Sequence, residues 1–109
     1  MSPTSWVYHK VTNVIRIKIY TILTLKKILG QRELEVSLRE GSTVKDLISW
    51  MIQTWGDPLS LQLFHPGTDR LLPQIRLMVN GRDIQFLKGV DTVLCDGDEF
   101  SILPILTGG

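Results

Sequence analysis

Along VIRIKIYTILTL, residues 14–25, apolar side chains recur at every second position, and no other feature of the chain narrows its fold as much. Ile15, Ile17, Ile19, Leu23 and Leu25 share one parity, interrupted by Thr21. Arg16, Lys18, Tyr20 and Thr24 share the other. Side chains of an extended backbone alternate between two faces, so this run offers one face to a core and one to water. It predicts a half-buried strand over 14–25. KKILGQ follows with Gly30 as a turn residue, and ELEVSL alternates again through Leu34, Val36 and Leu38. Two alternating runs joined by a short glycine-containing loop predict a hairpin.

The period then changes once. Val44, Leu47, Ile48, Met51, Ile52 and Trp55 fall on one face of a helix. Thr43 stands just before that face with Asp46 three residues on, a pattern resembling a capping box, and Gly56 closes the helix. Trp50 lies off the stripe and is expected to be partly exposed. Residues 57–74 read as a long connection holding Pro58, Pro66 and Pro73, in which LQLF could form a brief strand and HPGTD a turn. IRLMV alternates through Ile75, Leu77 and Val79 and meets Asn80-Gly81, a strong hairpin signal because both residues tolerate positive φ. FLKGVDTVL reads as a short link, and CDGDEFSILPI as an Asp-Gly turn followed by a last strand.

The long apolar strands come first and last and are separated by crossing connections. They are expected as a central, parallel pair with helix 44–55 laid over their inner face. That arrangement is an α+β fold, a ubiquitin-like β-grasp with one main helix across a mixed sheet. The expected organisation is a loose extension over 1–13, one domain over 14–105, and a flexible tail over 106–109.

Composition excludes several classes. The chain has 109 residues, 43% of them apolar, with 12 basic and 11 acidic side chains and a net charge of +1. This balance gives no footing for a polyanion, so neither nucleic acid nor membrane is expected as a partner. The basic pairs Arg16/Lys18 and Lys26/Lys27 read as solvated faces. No apolar run is long enough for a membrane span, and MSPTSWVYHKVTN lacks the apolar segment of a signal peptide, so a cytoplasmic location is expected. Cys95 is the single cysteine, which precludes an internal disulfide. It reads as structural because His9 and His65, the two candidate bases, are remote in sequence. His65 precedes Pro66 and reads as a turn residue. No metal set is expected, since no second ligand stands at a useful spacing. Asp96, Asp98 and Glu99 cluster in one turn, and they read as turn residues around a positive-φ Gly97 rather than as catalytic carboxylates.

VNGRDI at 79–84, TVLCDGDEFSILP at 92–104 and the terminal Gly108-Gly109 together resemble the MoaD/ThiS family of small ubiquitin-like sulfur carriers. The pattern is most like the small subunit of molybdopterin synthase. The resemblance implies that the Gly109 carboxylate is adenylated and converted to a thiocarboxylate, which donates sulfur. It implies three partners: an adenylating enzyme of the ubiquitin-activating type, a larger synthase subunit that accepts the tail, and a persulfide as sulfur donor. It also implies no bound cofactor, ATP being used by the activating enzyme, and no catalytic side chain in the carrier.

Leu106, Thr107 and Gly108 would form the tail that carries Gly109 into a partner's channel. Four residues beyond Ile105 reach at most roughly 13–14 Å. The folded body would add affinity through Leu103 and Ile105 at the last strand and through Tyr20 and Ile22 on the outward parity of the first. Two positions depart from the synthase pattern. Pro104 keeps the first of two family prolines while Ile105 replaces the second, and Thr107 stands where Ala or Ser is commoner. These departures bear on the pathway and not on the fold. A carrier for thiamine thiazole or another sulfur metabolite, a protein modifier conjugated through Gly109, and a non-catalytic interaction module are the alternatives.

Overall fold

The computed structural model describes residues 13–104. The expectations for residues 1–12 and for Ile105, Leu106, Thr107, Gly108 and Gly109 concern residues outside those described.

Strand β1 spans Val14–Thr21, and its side chains alternate strictly, with Ile15, Ile17, Ile19 and Thr21 buried. The strand is four residues shorter than its sequence pattern predicts. Leu23–Leu29 forms a short helix, α1, in place of the strand's end and the expected loop. The alternation misleads here because Leu25 and Leu29, spaced i and i+4, bury one helical face, whereas Leu23 is 54% exposed. Gly30 ends α1 in the left-handed region, and its N–H donates to the Lys26 carbonyl. Lys26 and Lys27 occupy the last turn of this helix, at the negative end of its dipole, rather than a strand face.

Strand β2, Glu33–Arg39, pairs antiparallel with β1 from Val14↔Arg39 to Tyr20↔Glu33. The expected hairpin partners are therefore correct, but a helix joins them instead of a tight turn.

Helix α2, Val44–Trp55, follows the predicted stripe. The Thr43 side chain accepts from the Asp46 N–H at 3.3 Å, and Asp46 Oδ2 accepts from the Thr43 N–H at 2.9 Å, completing a capping box. Val44, Leu47, Ile48 and Met51 are buried, and they share one core with Ile17 and Ile19 of β1. Trp50 is half-buried and meets Trp55 edge-on, with ring centroids 5.6 Å apart.

The connection 57–74 contains a helix where the sequence predicts a brief strand over LQLF. Helix α3, Asp57–Leu63, starts with Pro58 in its first turn and buries Leu59 and Leu63 at helical spacing. Only Phe64, at its end, makes an isolated bridge, to Leu71.

Strand β3, Ile75–Val79, turns through Asn80 (φ 52°) and Gly81 (φ 82°) into the two-residue strand β4, Arg82–Asp83. The expected link that follows holds two single 3₁₀ turns, Ile84–Phe86 and Gly89–Asp91. Strand β5, Glu99–Pro104, runs parallel to β1 and antiparallel to β3. The sheet order is β2-β1-β5-β3-β4. The first and last strands are therefore central neighbours, and the fold is the expected ubiquitin-like β-grasp, with two short helices beside the main one.

Candidate functional site

The two turns singled out in the sequence meet in space. Asn80 Nδ2 donates to Asp98 Oδ1 at 2.8 Å, and the Glu99 N–H donates to Asn80 Oδ1 at 2.9 Å. The Asn80 N–H also donates to the Glu99 carbonyl at 2.8 Å. Both functional groups of one amide side chain thus join the β3–β4 turn to the start of β5.

Asp98 Oδ2 accepts from the Cys95 N–H at 2.8 Å, closing the turn on itself. Gly97, at φ 89°, supplies the left-handed residue of that turn. The turn is also fastened to β1. Asp96 Oδ1 accepts from the Arg16 N–H at 2.7 Å, and the Gly97 N–H donates to the Arg16 carbonyl at 2.8 Å.

The carboxylates of Asp96 and Asp98 are thus engaged by backbone and amide donors, which fixes where β5 begins. The reading of this cluster as turn chemistry follows from these bonds. Cys95 is exposed, so it is not the packed residue that a structural reading suggests; its contribution to the turn is its backbone.

Strand β5 then runs through the sheet centre to Pro104, which pairs with Ile75. Its inward residues, Phe100 and Ile102, are fully buried. On the outer face, register places Tyr20, Ser101 and Met78 in one row across β1, β5 and β3. Leu103 stands two residues further along β5, opposite Arg76. Tyr20, Leu103, Ser101, Met78 and Arg76 are each half-buried. Arg76 Nε lies 3.4 Å from Asp83 Oδ2.

Ile22 is not on the strand. It precedes α1 as its N-cap and is 38% exposed. The structure brings Ile22 close to the end of β5 all the same, because a cleft of about 90 Å³ is lined by Ile22, Leu25, Gln62, Ile75 and Pro104 among others. Of the four body residues predicted to meet a partner, Tyr20 and Leu103 share the outer face, Ile22 lies instead on the helix side of the sheet beside Leu25, Gln62 and Ile75, and Ile105 lies outside the described residues. Met78 and Ser101 share the face and were not anticipated. The signal for Met78 was present in the alternation of IRLMV, whose polar parity holds Arg76 and Met78.

Among the described residues, no cluster of His, Cys, Asp and Glu could hold a metal ion, and no helix is long and apolar enough to cross a membrane. His65 sits in the turn after α3, where its carbonyl accepts from the Thr68 hydroxyl at 2.9 Å.

The model of the ThiS family matches residues 23–109. The chain belongs to the ThiS family. Its match includes both fastened turns, strand β5 and the Gly108-Gly109 pair. A relative from Archaeoglobus fulgidus, named as a candidate sulfur carrier protein, is 37% identical over 81 residues, which span 74% of this chain and 89% of that protein. The sulfur carrier protein CysO of Mycobacterium tuberculosis is 31% identical over 81 residues, 73% of this chain and 83% of its own. Among solved structures, small archaeal modifier protein 1 of Methanosarcina acetivorans superposes with a TM-score of 0.74 at 29% identity, covering 88% of this chain and 98% of that one. This ThiS-family chain thus stands among sulfur carriers and ubiquitin-like modifiers.

Proposed function

We propose that this chain carries sulfur as a thiocarboxylate on Gly109. The observation that carries the reading is the family match through Gly108-Gly109, downstream of a strand held at the sheet centre. A carboxylate resists acyl transfer because its leaving group would be oxide. Attack of the Gly109 carboxylate on the α-phosphorus of ATP, in a partner enzyme of the adenylating type, expels pyrophosphate and gives an acyl-adenylate. The terminal sulfur of a persulfide then attacks the carbonyl carbon and expels AMP. A further thiol then attacks the donor's inner, carbon-bound sulfur, forms a disulfide with it and breaks the S–S bond, so that the former terminal sulfur stays on the chain as the thiocarboxylate.

The folded body supplies position and affinity in this scheme. The outer face around Tyr20, Met78 and Leu103 is the docking surface for the activating enzyme and for a larger acceptor subunit. Glycines without Cβ let the tail enter a narrow channel. No cofactor is bound by the chain, ATP being consumed by the enzyme. On the resemblance of VNGRDI and DGDEFSILP to the molybdopterin-synthase small subunit, the acceptor is a pterin precursor in molybdenum or tungsten cofactor synthesis. The location that fits this role is the cytoplasm.

The likeness to a protein named a modifier favours a second reading, in which a lysine amine takes the same activated acyl group and forms an isopeptide bond. Intact mass of the chain purified from its native cells separates the two. A carrier shows oxygen replaced by sulfur, and a modifier shows higher-mass conjugates bearing Gly109 on lysine. A chain with neither mass change, and with no ATP-dependent adenylation by its cognate enzyme, would leave an interaction module.

A further inference from the structure

Among the described residues, strand β2 is an edge of the sheet. Among these it pairs with β1 alone, over seven uninterrupted register positions. The direction of its free groups follows from two bonds. The Thr21 N–H donates to the Arg32 carbonyl, and the Glu40 N–H donates to the Asn13 carbonyl. Even-numbered residues of this segment therefore face β1, and Glu33, Glu35, Ser37 and Arg39 direct their N–H and C=O groups away from the sheet.

Exposed edges are ordinarily blunted by shortness, charged side chains and above all lysine, proline, a bulge or an inward-pointing charge; the charges of β2, Glu33, Glu35 and Arg39, all stand on its exposed parity and carry both signs. The opposite edge of this sheet, β4, has two residues. Strand β2 has seven, ELEVSLR, without lysine, proline or glycine, and its inward positions are Leu34, Val36 and Leu38.

We infer that β2 is a self-association edge, on which a second copy of this chain adds its own β2 antiparallel about a two-fold axis at Val36. In that register Glu33 lies opposite Arg39 of the second copy, Glu35 opposite its Ser37, Leu34 opposite its Leu38, and Val36 opposite Val36. The odd-numbered residues form the hydrogen-bonded pairs, so every outward N–H and C=O of the strand gains a partner. Opposite charges meet at both ends, and branched apolar residues meet on the inner face, where Leu34 and Leu38 are now half-buried.

A register shifted two residues toward the strand's start would set Glu35 against Glu35, and one shifted toward its end would leave Glu33 without an opposite strand residue. Glu35 is also flanked on β1 by Lys18, its register partner, and by Arg16, whose Nε lies 4.0 Å from Glu35 Oε2. These cations relieve the approach of the two central glutamates across the axis. The product is one continuous sheet that leaves the β5 side of each copy open.

Sedimentation equilibrium of the full chain tests this, with Glu33→Arg, Arg39→Glu and Ser37→Pro variants checked for native circular dichroism. The wild-type chain is expected to dimerise. Each charge variant places two like-charged pairs across the axis and should weaken the dimer about tenfold or more. An equimolar mixture of Glu33→Arg and Arg39→Glu chains should regain dimerisation, since the mixed pair restores opposite charges at both ends. Ser37→Pro removes an outward N–H that β1 does not use and should favour the monomer.

A wild-type chain that stays monomeric to about 1 mM overturns the inference, whether or not some other extended peptide binds the edge. So does a dimer that the charge variants leave unchanged, or one that mixing does not restore.

Discussion

Asn80 and Asp98, eighteen positions apart, are joined by an amide-to-carboxylate hydrogen bond of 2.8 Å. The bond fixes the β3–β4 turn against the turn that launches β5. It works with the Glu99 N–H bond to Asn80 Oδ1, so one side chain satisfies groups from two consecutive residues of that turn. Asn80 also sits at φ 52°, where asparagine is among the few residues with a side chain that settle readily.

Replacing Asn80 with Ala removes both side-chain bonds and strains the backbone. The expected loss is about 1–3 kcal/mol in urea unfolding. Asn80→Gly keeps the backbone and loses only the bonds, so it should fall between the wild type and Asn80→Ala. Asn80→Asp removes the donor and sets a carboxylate beside Asp98, and should be the least stable of the three. Equal stability of the Gly and Ala variants would mean that the left-handed backbone contributes nothing.

Gly97 separates conformation from packing at the second turn. It stands at φ 89°, and a Cβ built there meets no atom within 4 Å. Gly97→Ala therefore costs conformational energy alone, about 1–2 kcal/mol. Gly97→Asn should cost less, because asparagine tolerates the same region. Chemical denaturation of the two variants beside the wild type gives the order.

Leu47 is fully buried in the middle of the α2 stripe, within the core that β1 and β5 also line. Leu47→Ala is expected to cost about 2–5 kcal/mol, the range for a truncated leucine that leaves a cavity. Ser49, exposed on the same helix, provides the control, and Ser49→Ala should change the unfolding midpoint little.

The outer face yields the opposite signature. Leu103 is half-buried beside Arg76 and Ser101, so Leu103→Arg should alter stability by about 1 kcal/mol or less. Affinity for the proposed adenylating partner should fall at least about tenfold in calorimetric titration, since the change would put a charge into the proposed docking face. Tyr20→Ala should behave alike. A docking surface elsewhere would leave both affinities unchanged.

Legibility in the sequence varied with the kind of signal. The α2 stripe, its Thr43–Asp46 cap and the Asn80-Gly81 turn were readable because each is local and has few competing solutions. The parallel pairing of β1 with β5 was also readable, from two long apolar strands separated by crossing connections. Helix α1 was not, since Leu23 and Leu25 continue the parity of Ile19, and only tertiary packing selects Leu25 with Leu29 over Leu25 with Leu23. Helix α3 was hidden in the same way, because Leu59 and Leu63 are as compatible with a proline-led helix as Leu61 and Leu63 are with a strand. At the site, DGDE was legible as a turn, but its bonds to Asn80 and Arg16 join residues distant in sequence, and no local pattern reports them. Ile22 fell on the first strand's parity by sequence, while the chain leaves that strand at Thr21 and still sets Ile22 beside Pro104.

The reacting group of the proposed carrier gives the last prediction. Removing Gly109, or adding residues after it, should abolish thiocarboxylate formation and leave unfolding unchanged. Phe100 and Ile102 anchor β5 in the described core, and a terminal glycine has no side chain to bury there. Catalysis is far less tolerant. The carboxylate must meet the α-phosphorus of ATP at bonding distance, and a misplacement of about 1 Å can cost on the order of a hundredfold in rate. One residue moves the tip by roughly 3.3–3.6 Å along an extended chain. Gly108→Val should be nearly as harmful, because a β-branched side chain widens the segment and restricts its torsions. The measurement is ATP–pyrophosphate exchange with the cognate adenylating enzyme, run beside thermal unfolding of each variant. Exchange at the wild-type rate by the chain lacking Gly109 would remove both the carrier and the modifier readings.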